Sequence, residues 1–100
     1  MEQTERITEM ERRMESAAKA VMELSAALDN YEEAQEAIAA LDAYYGSEEW
    51  KQDFADDEAG KLPRTLKRGV LSEDAAYDAL CASRALLTQM LETVAQSLRD

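Results

Sequence analysis

Carboxylates are the only chemistry-bearing side chains present in number, and they crowd closest at Asp53, Asp56, Asp57 and Glu58. On a helix Asp53 and Asp57 share one face at i and i+4, a spacing at which two acids can share a divalent cation. It is not the spacing of a calcium loop, because the sixth position counted from Asp53, where an EF-hand turns on glycine, is Glu58. Four bases follow: Lys61, Arg64, Lys67 and Arg68. A phosphate or nucleic-acid site would use such a run. However, no aromatic is interleaved with it to stack on bases, and twelve acids face the single base Lys51 between Glu23 and Glu58. Pairing between the acid and base blocks is therefore the expected arrangement.

The remaining reactive types are scarce. There is no histidine, which removes the commonest general base and the commonest zinc ligand together. The single cysteine, Cys81, sits between Leu80 and Ala82 with no imidazole to activate it, and is expected to act as a small apolar residue. It cannot form an internal disulfide, which fits a reducing compartment. Neither a glycine-rich phosphate loop nor a nucleophile elbow is present. The expectation is a protein that is not an enzyme, with no cofactor and no metal.

Charge narrows the partners further. With 22 acids against 11 bases the net charge is −11 over 100 residues, which disfavours direct contact with DNA, RNA or anionic membranes and favours basic protein partners. The opening "MEQTERITEMERRMES" is charged where a signal peptide needs an apolar run, and no stretch approaches the roughly 20 apolar residues of a membrane span. A cytoplasmic location with no membrane contact is expected. A chain of this length buries roughly 60 to 65% of its unfolded surface, a small core that a partner or a second copy would help to stabilise.

The elements that must carry these residues are helices. Apolar residues recur at Ile7, Met10, Met14, Ala17, Val21, Leu24, Leu28, Tyr31, Ile38 and Tyr45 in steps of three and four, lapsing only at Gln35 and Asp42. Glycine and proline are absent from residues 1–45. Asn30, with Glu33 three residues on, has capping-box spacing and could open a new helix. The seven-residue step from Met10 to Tyr45 passes through that point undisturbed, so a continuous or mildly bent helix over 1–45 is predicted.

Gly46 stops this helix and Ser47 caps the next, "SEEWKQDFADDEA", which presents Trp50 and Phe54 at i, i+4 and ends at Gly60. Pro63 opens a further turn, "PRTLKR", that Gly69 interrupts, completing a connector over 46–71. Ser72 caps the last helix, over 72–99, with Leu71 placed as a hydrophobic staple. Its stripe reads Tyr77, Leu80, Leu87, Leu91, Val94 and Leu98.

The predicted fold is all-α: a single domain of two long helices in an antiparallel hairpin, joined by one or two short connecting helices. At about 1.5 Å per residue the first helix reaches roughly 65 Å and the last roughly 40 Å. An antiparallel last helix ends near Ala17 or Ala18, leaving Ile7, Met10 and Met14 uncovered and available for a homodimer. The aromatics, Tyr31, Tyr44, Tyr45, Trp50, Phe54 and Tyr77, gather mostly around the junction of the helices. They form either a plug that seals it or an exposed binding patch.

The blocks "YYGSEEW" (Tyr44 to Trp50), "DEAGKLP" (Asp57 to Pro63) and "LKRGVLSED" (Leu66 to Asp74) resemble an uncharacterised bacterial family of about one hundred residues, known only as a domain of unknown function. The resemblance covers nearly the whole chain. It implies a short, mostly helical bacterial protein and carries over no catalytic or binding residues. Because it concentrates in the connector, it draws attention there.

Two functions are compatible with these residues. The first is a non-enzymatic protein-binding or regulatory module whose partner meets the connector at Trp50, Lys67 and Arg68. The second is an acidic inhibitor or nucleic-acid mimic. Residues 1–45 hold 11 acids and 4 bases, and Glu23, Glu32, Glu33 and Glu36 would enter a basic groove of the kind that binds DNA or RNA. Acidity that serves only solubility is the plain alternative to the second.

Overall fold

The computed structural model describes residues 2–99. Three α-helices follow in order, α1 (Gln3–Tyr44), α2 (Glu48–Glu58) and α3 (Glu73–Ser97), with a single 3₁₀ turn (Gly69–Leu71) ahead of α3. No strand occurs among the described residues, and none of these helices is long and apolar enough to cross a membrane. The all-α class is as predicted. The first helix runs unbroken through Asp29 and Asn30. Asn30 does not cap, because the favourable propensity and apolar period on both sides offer the backbone no reason to leave the helix.

The ends of the helices follow from local chemistry. Gly46 takes φ +79° after α1 and Gly60 takes φ +71° after α2, a left-handed conformation that costs glycine little. At the second of these, the Lys61 amide donates to the Asp56 carbonyl at 2.9 Å and the Gly60 amide to that of Asp57 at 3.0 Å, the paired bonds of a Schellman motif. Ser47 and Ser72 cap α2 and α3, accepting from the Trp50 and Ala75 amides at 3.1 and 3.3 Å. Glu48 and Glu49, then Glu73 and Asp74, occupy the first turns, where carboxylates favour the helix dipole.

Gly69 departs from expectation. It has no positive φ and stops nothing; it is the first residue of the 3₁₀ turn that leads into Ser72. Pro63 opens a tight turn closed by the Leu66 amide on the Pro63 carbonyl at 3.1 Å, and no helix follows it. The segment is too short, with Gly69 so close, to offset the cost of nucleating a helix.

The chain divides into two compact units, one through Glu36 and the other from Ala37 onward. The first consists of α1 alone, and among its described residues only Glu9, Tyr31 and Ala34 are other than exposed. The second holds the end of α1, the connector and α3, and contains both buried apolar residues, Leu71 at 6% and Ala76 at 3% exposure. These are the positions just outside the Ser72 cap and four residues inside it, the pair a hydrophobic staple brings together. The 3₁₀ turn packs against both α2 and α3.

The half-buried and buried face of α3 is Ala76, Leu80, Ser83 and Met90, shifted from the predicted stripe, and Tyr77 stands exposed. Leu87, Leu91, Val94 and Leu98, expected to be covered, are exposed as well. On α1 the uncovered stripe reaches beyond Met14 to Val21, Leu24 and Leu28 at 68, 65 and 37% exposure. The sequence placed the edge of the uncovered stripe near Ala17; the exposed apolar residues of the first unit continue past it to Leu28.

Candidate functional site

The connector is organised by its aromatic residues. Trp50 lies on the first turn of α2 because Ser47 caps three residues before it, and Phe54 follows one helical turn later. Their rings stack at 5.3 Å with planes 25° apart, and Tyr45 meets the Trp50 ring edge-on at 5.2 Å. The indole Nε1–H donates to the Val70 carbonyl at 3.0 Å, tying α2 to the 3₁₀ turn. The Tyr45 hydroxyl donates to the Glu73 carbonyl at 3.1 Å, which sets the first turn of α3 beside the end of α1. The three rings are half-buried, and the polar tips of Tyr45 and Trp50 are bonded to backbone. Tyr31 and Tyr77 are not part of this stack.

The acid cluster is divided among different partners. Asp53 accepts from the Tyr44 hydroxyl at 2.5 Å, Asp57 from Arg68 at 2.9 Å, and Asp56 from the Gln52 amide at 2.9 Å with Lys61 at 4.0 Å. Asp53 and Asp57, the candidate cation pair, are thus each engaged by a protein donor. Among the described residues no group of three or more His, Cys, Asp or Glu side chains is arranged to hold a metal. The hydrogen bond to Asp53, aided by partial burial and by the charges of Asp53 and Glu49, pushes the Tyr44 phenol up to about 12.

The base block divides in the same manner. Arg68 is half-buried in its ion pair with Asp57, the expected internal neutralisation, and lines an open recess of about 730 Å³ with Phe54, Asp57, Leu66, Leu71 and Glu73. Lys67 is exposed, and Arg64 with it; neither has an ion pair among the described residues. Of the three connector residues singled out in the sequence, Trp50 and Arg68 are committed to internal contacts, while Lys67 faces solvent. The four acids of the alternative reading, Glu23, Glu32, Glu33 and Glu36, are all exposed on α1, and Glu23 has Lys19 at 3.9 Å.

Cys81 is exposed, not packed as a small apolar residue, because the inward face of α3 passes through Leu80 and Ser83 on either side of it. Its thiol, one helical turn from Tyr77, raises that phenol above its ordinary range. Sequence reasoning missed the two backbone acceptors, Val70 and Glu73, that bind the aromatic tips. Side-chain pattern carries no signal for a carbonyl. It also missed Ala76 as a core residue, although its place four residues inside the Ser72 cap, opposite Leu71, was a usable clue.

Fold and connector together define an all-α protein whose helix junction is clasped by an aromatic stack and one half-buried ion pair. The chain belongs to the family described as a domain of unknown function, DUF4298, whose model matches residues 7–93. No curated protein matches the chain, and no solved structure does either.

Proposed function

We propose that this protein is a non-enzymatic protein-binding or regulatory module. The observation that carries this reading is the exposure of its apolar residues: Leu71 and Ala76 are the buried apolar residues of the described chain, while Leu66, Val70, Leu87, Leu91, Val94 and Leu98 stand open in the second unit. Apolar surface of this extent is typical of a chain completed by a partner. On the connector the docking face is Leu66, Lys67 and Val70, with Trp50 and Arg68 holding that face in shape from within. Self-association through Ile7, Met10 and Met14 is a further part of the proposal.

A second reading, an acidic inhibitor or nucleic-acid mimic, is favoured by one feature: Glu32, Glu33 and Glu36 are exposed within a short stretch of α1 and have no ion pair among the described residues. A partner captured from the source cell, purified and titrated against variants separates the two. The module reading expects affinity that holds in high salt and is lost on Leu66→Glu or Lys67→Glu. The mimic expects affinity that falls steeply with salt, competition by DNA or RNA, and loss on charge reversal at Glu32 and Glu36. Binding that ignores both sets of substitutions sinks both readings.

A further inference from the structure

The segment of α1 through Glu36 forms a compact unit with no second element in it, yet it carries a continuous apolar seam. In heptad terms Ile7, Met14, Val21 and Leu28 fall at a, and Met10, Ala17 and Leu24 at d. That is three heptads and a closing a residue, the length at which such a pattern argues for a coiled coil. Helical stability in water comes mostly from packing of an apolar face, and here that face has no cover within its unit.

The flanking positions say what covers it. The g positions are Arg6, Arg13, Ala20 and Ala27; the e positions are Glu11, Ala18 and Ser25. Arg12 and Arg13 bond Glu9, and Lys19 lies near Glu23, within the helix. Arg6 and Glu11 have no ion pair among the described residues. In a parallel, in-register pair a g residue meets the e residue five positions on in the other strand, so Arg6 meets Glu11 twice, once on each side. An antiparallel pair centred on the seam sets Arg6 beside alanine instead. Ile7 and Val21 at a, with Leu24 at d, are the choices that favour two parallel strands. Glu9, Glu15 and Glu23 lie at the outer b and c positions, so most of the negative charge of this segment is kept away from the seam.

We infer that a second copy of this chain covers the seam, in a parallel, in-register two-stranded coiled coil over Ile7 to Leu28 with reciprocal Arg6–Glu11 pairs. The inference deepens the self-association proposed above and does not depend on the identity of any other partner. It adds the orientation, the register and the extension to Leu28.

The test uses the full chain. Sedimentation at high micromolar concentration is expected to give a dimer, and Val21→Glu to give a monomer. In a Cys81→Ser background, Met14→Cys at an a position is expected to form a disulfide-linked dimer on oxidation. Arg6→Glu, an exposed change that leaves the fold intact by circular dichroism, is expected to weaken dimerisation roughly tenfold, two pairs being turned from attraction to repulsion. Adding Glu11→Arg restores it. A strict monomer overturns self-association altogether. A dimer that does not cross-link at position 14, or is indifferent to Arg6→Glu, overturns the parallel register alone. A dimer lost on Leu91→Glu but retained on Val21→Glu moves the interface to α3 and overturns the assignment to α1.

Discussion

Tyr44 shows how far one hydroxyl can be committed to the fold. Its bond to Asp53 joins the last turn of α1 to α2, and the same bond lifts the phenol from 10.0 to about 12. Because the folded value is the higher one, the stabilisation is present in full below the unfolded value and is lost as pH rises through the folded one. The difference in unfolding free energy between the wild type and Tyr44→Phe should therefore be constant near neutrality and shrink between pH 10 and 12, as followed by urea unfolding at each pH. At neutral pH the variant is expected to lose about 1 kcal/mol, the usual contribution of such a bond. The tyrosines were legible in the sequence as a group near the junction; which hydroxyl reaches which oxygen was not. Tyr44 and Tyr45 are adjacent, yet one bonds a carboxylate of α2 and the other a carbonyl of α3.

At the scale of the element, each helix end depends on one or two residues, and substitutions there should act locally. Gly60→Ala forces a side chain into a left-handed backbone at φ +71°, although a methyl group there would meet nothing within 4 Å. The cost is conformational alone, about 1 to 2 kcal/mol. Ser72→Ala removes the acceptor for the Ala75 amide and should cost about 1 kcal/mol. Thermal unfolding of both variants checks these values; a Gly60→Ala protein as stable as the wild type would mean that the Schellman geometry is not maintained. The caps and stops at Gly46, Ser47, Gly60 and Ser72 were readable because their chemistry is local. Gly69 was misread for a related reason: glycine marks a break in regular helix but does not say whether the chain stops there or tightens into a 3₁₀ turn.

For the whole molecule, the notable property is how little apolar surface the chain buries by itself. The buried apolar residues of the described chain, Leu71 in the 3₁₀ turn and Ala76 in α3, flank the Ser72 cap. Hydrogen exchange should accordingly be slowest in α3 around Ala76 to Leu80 and faster in α1 before Glu36, with protection of that part of α1 rising with protein concentration. Concentration-independent protection there would argue against a second copy as its cover.

The sequence by itself determined helix against strand, a first helix at most mildly bent, the caps, and pairing between the acid and base blocks, because each rests on residues near one another along the chain. That Arg68, read as a partner contact, is the base paired with Asp57 was decided by the fold. The tertiary structure alone decided that the connector is closed by an aromatic stack bonded to the Val70 and Glu73 carbonyls. It also decided that the inward face of α3 runs through Ala76 and Ser83, and that Val21 and Leu24 stand exposed. Periodicity identifies the apolar side of a helix; what covers that side is decided in three dimensions, by whichever element or partner chain packs on it.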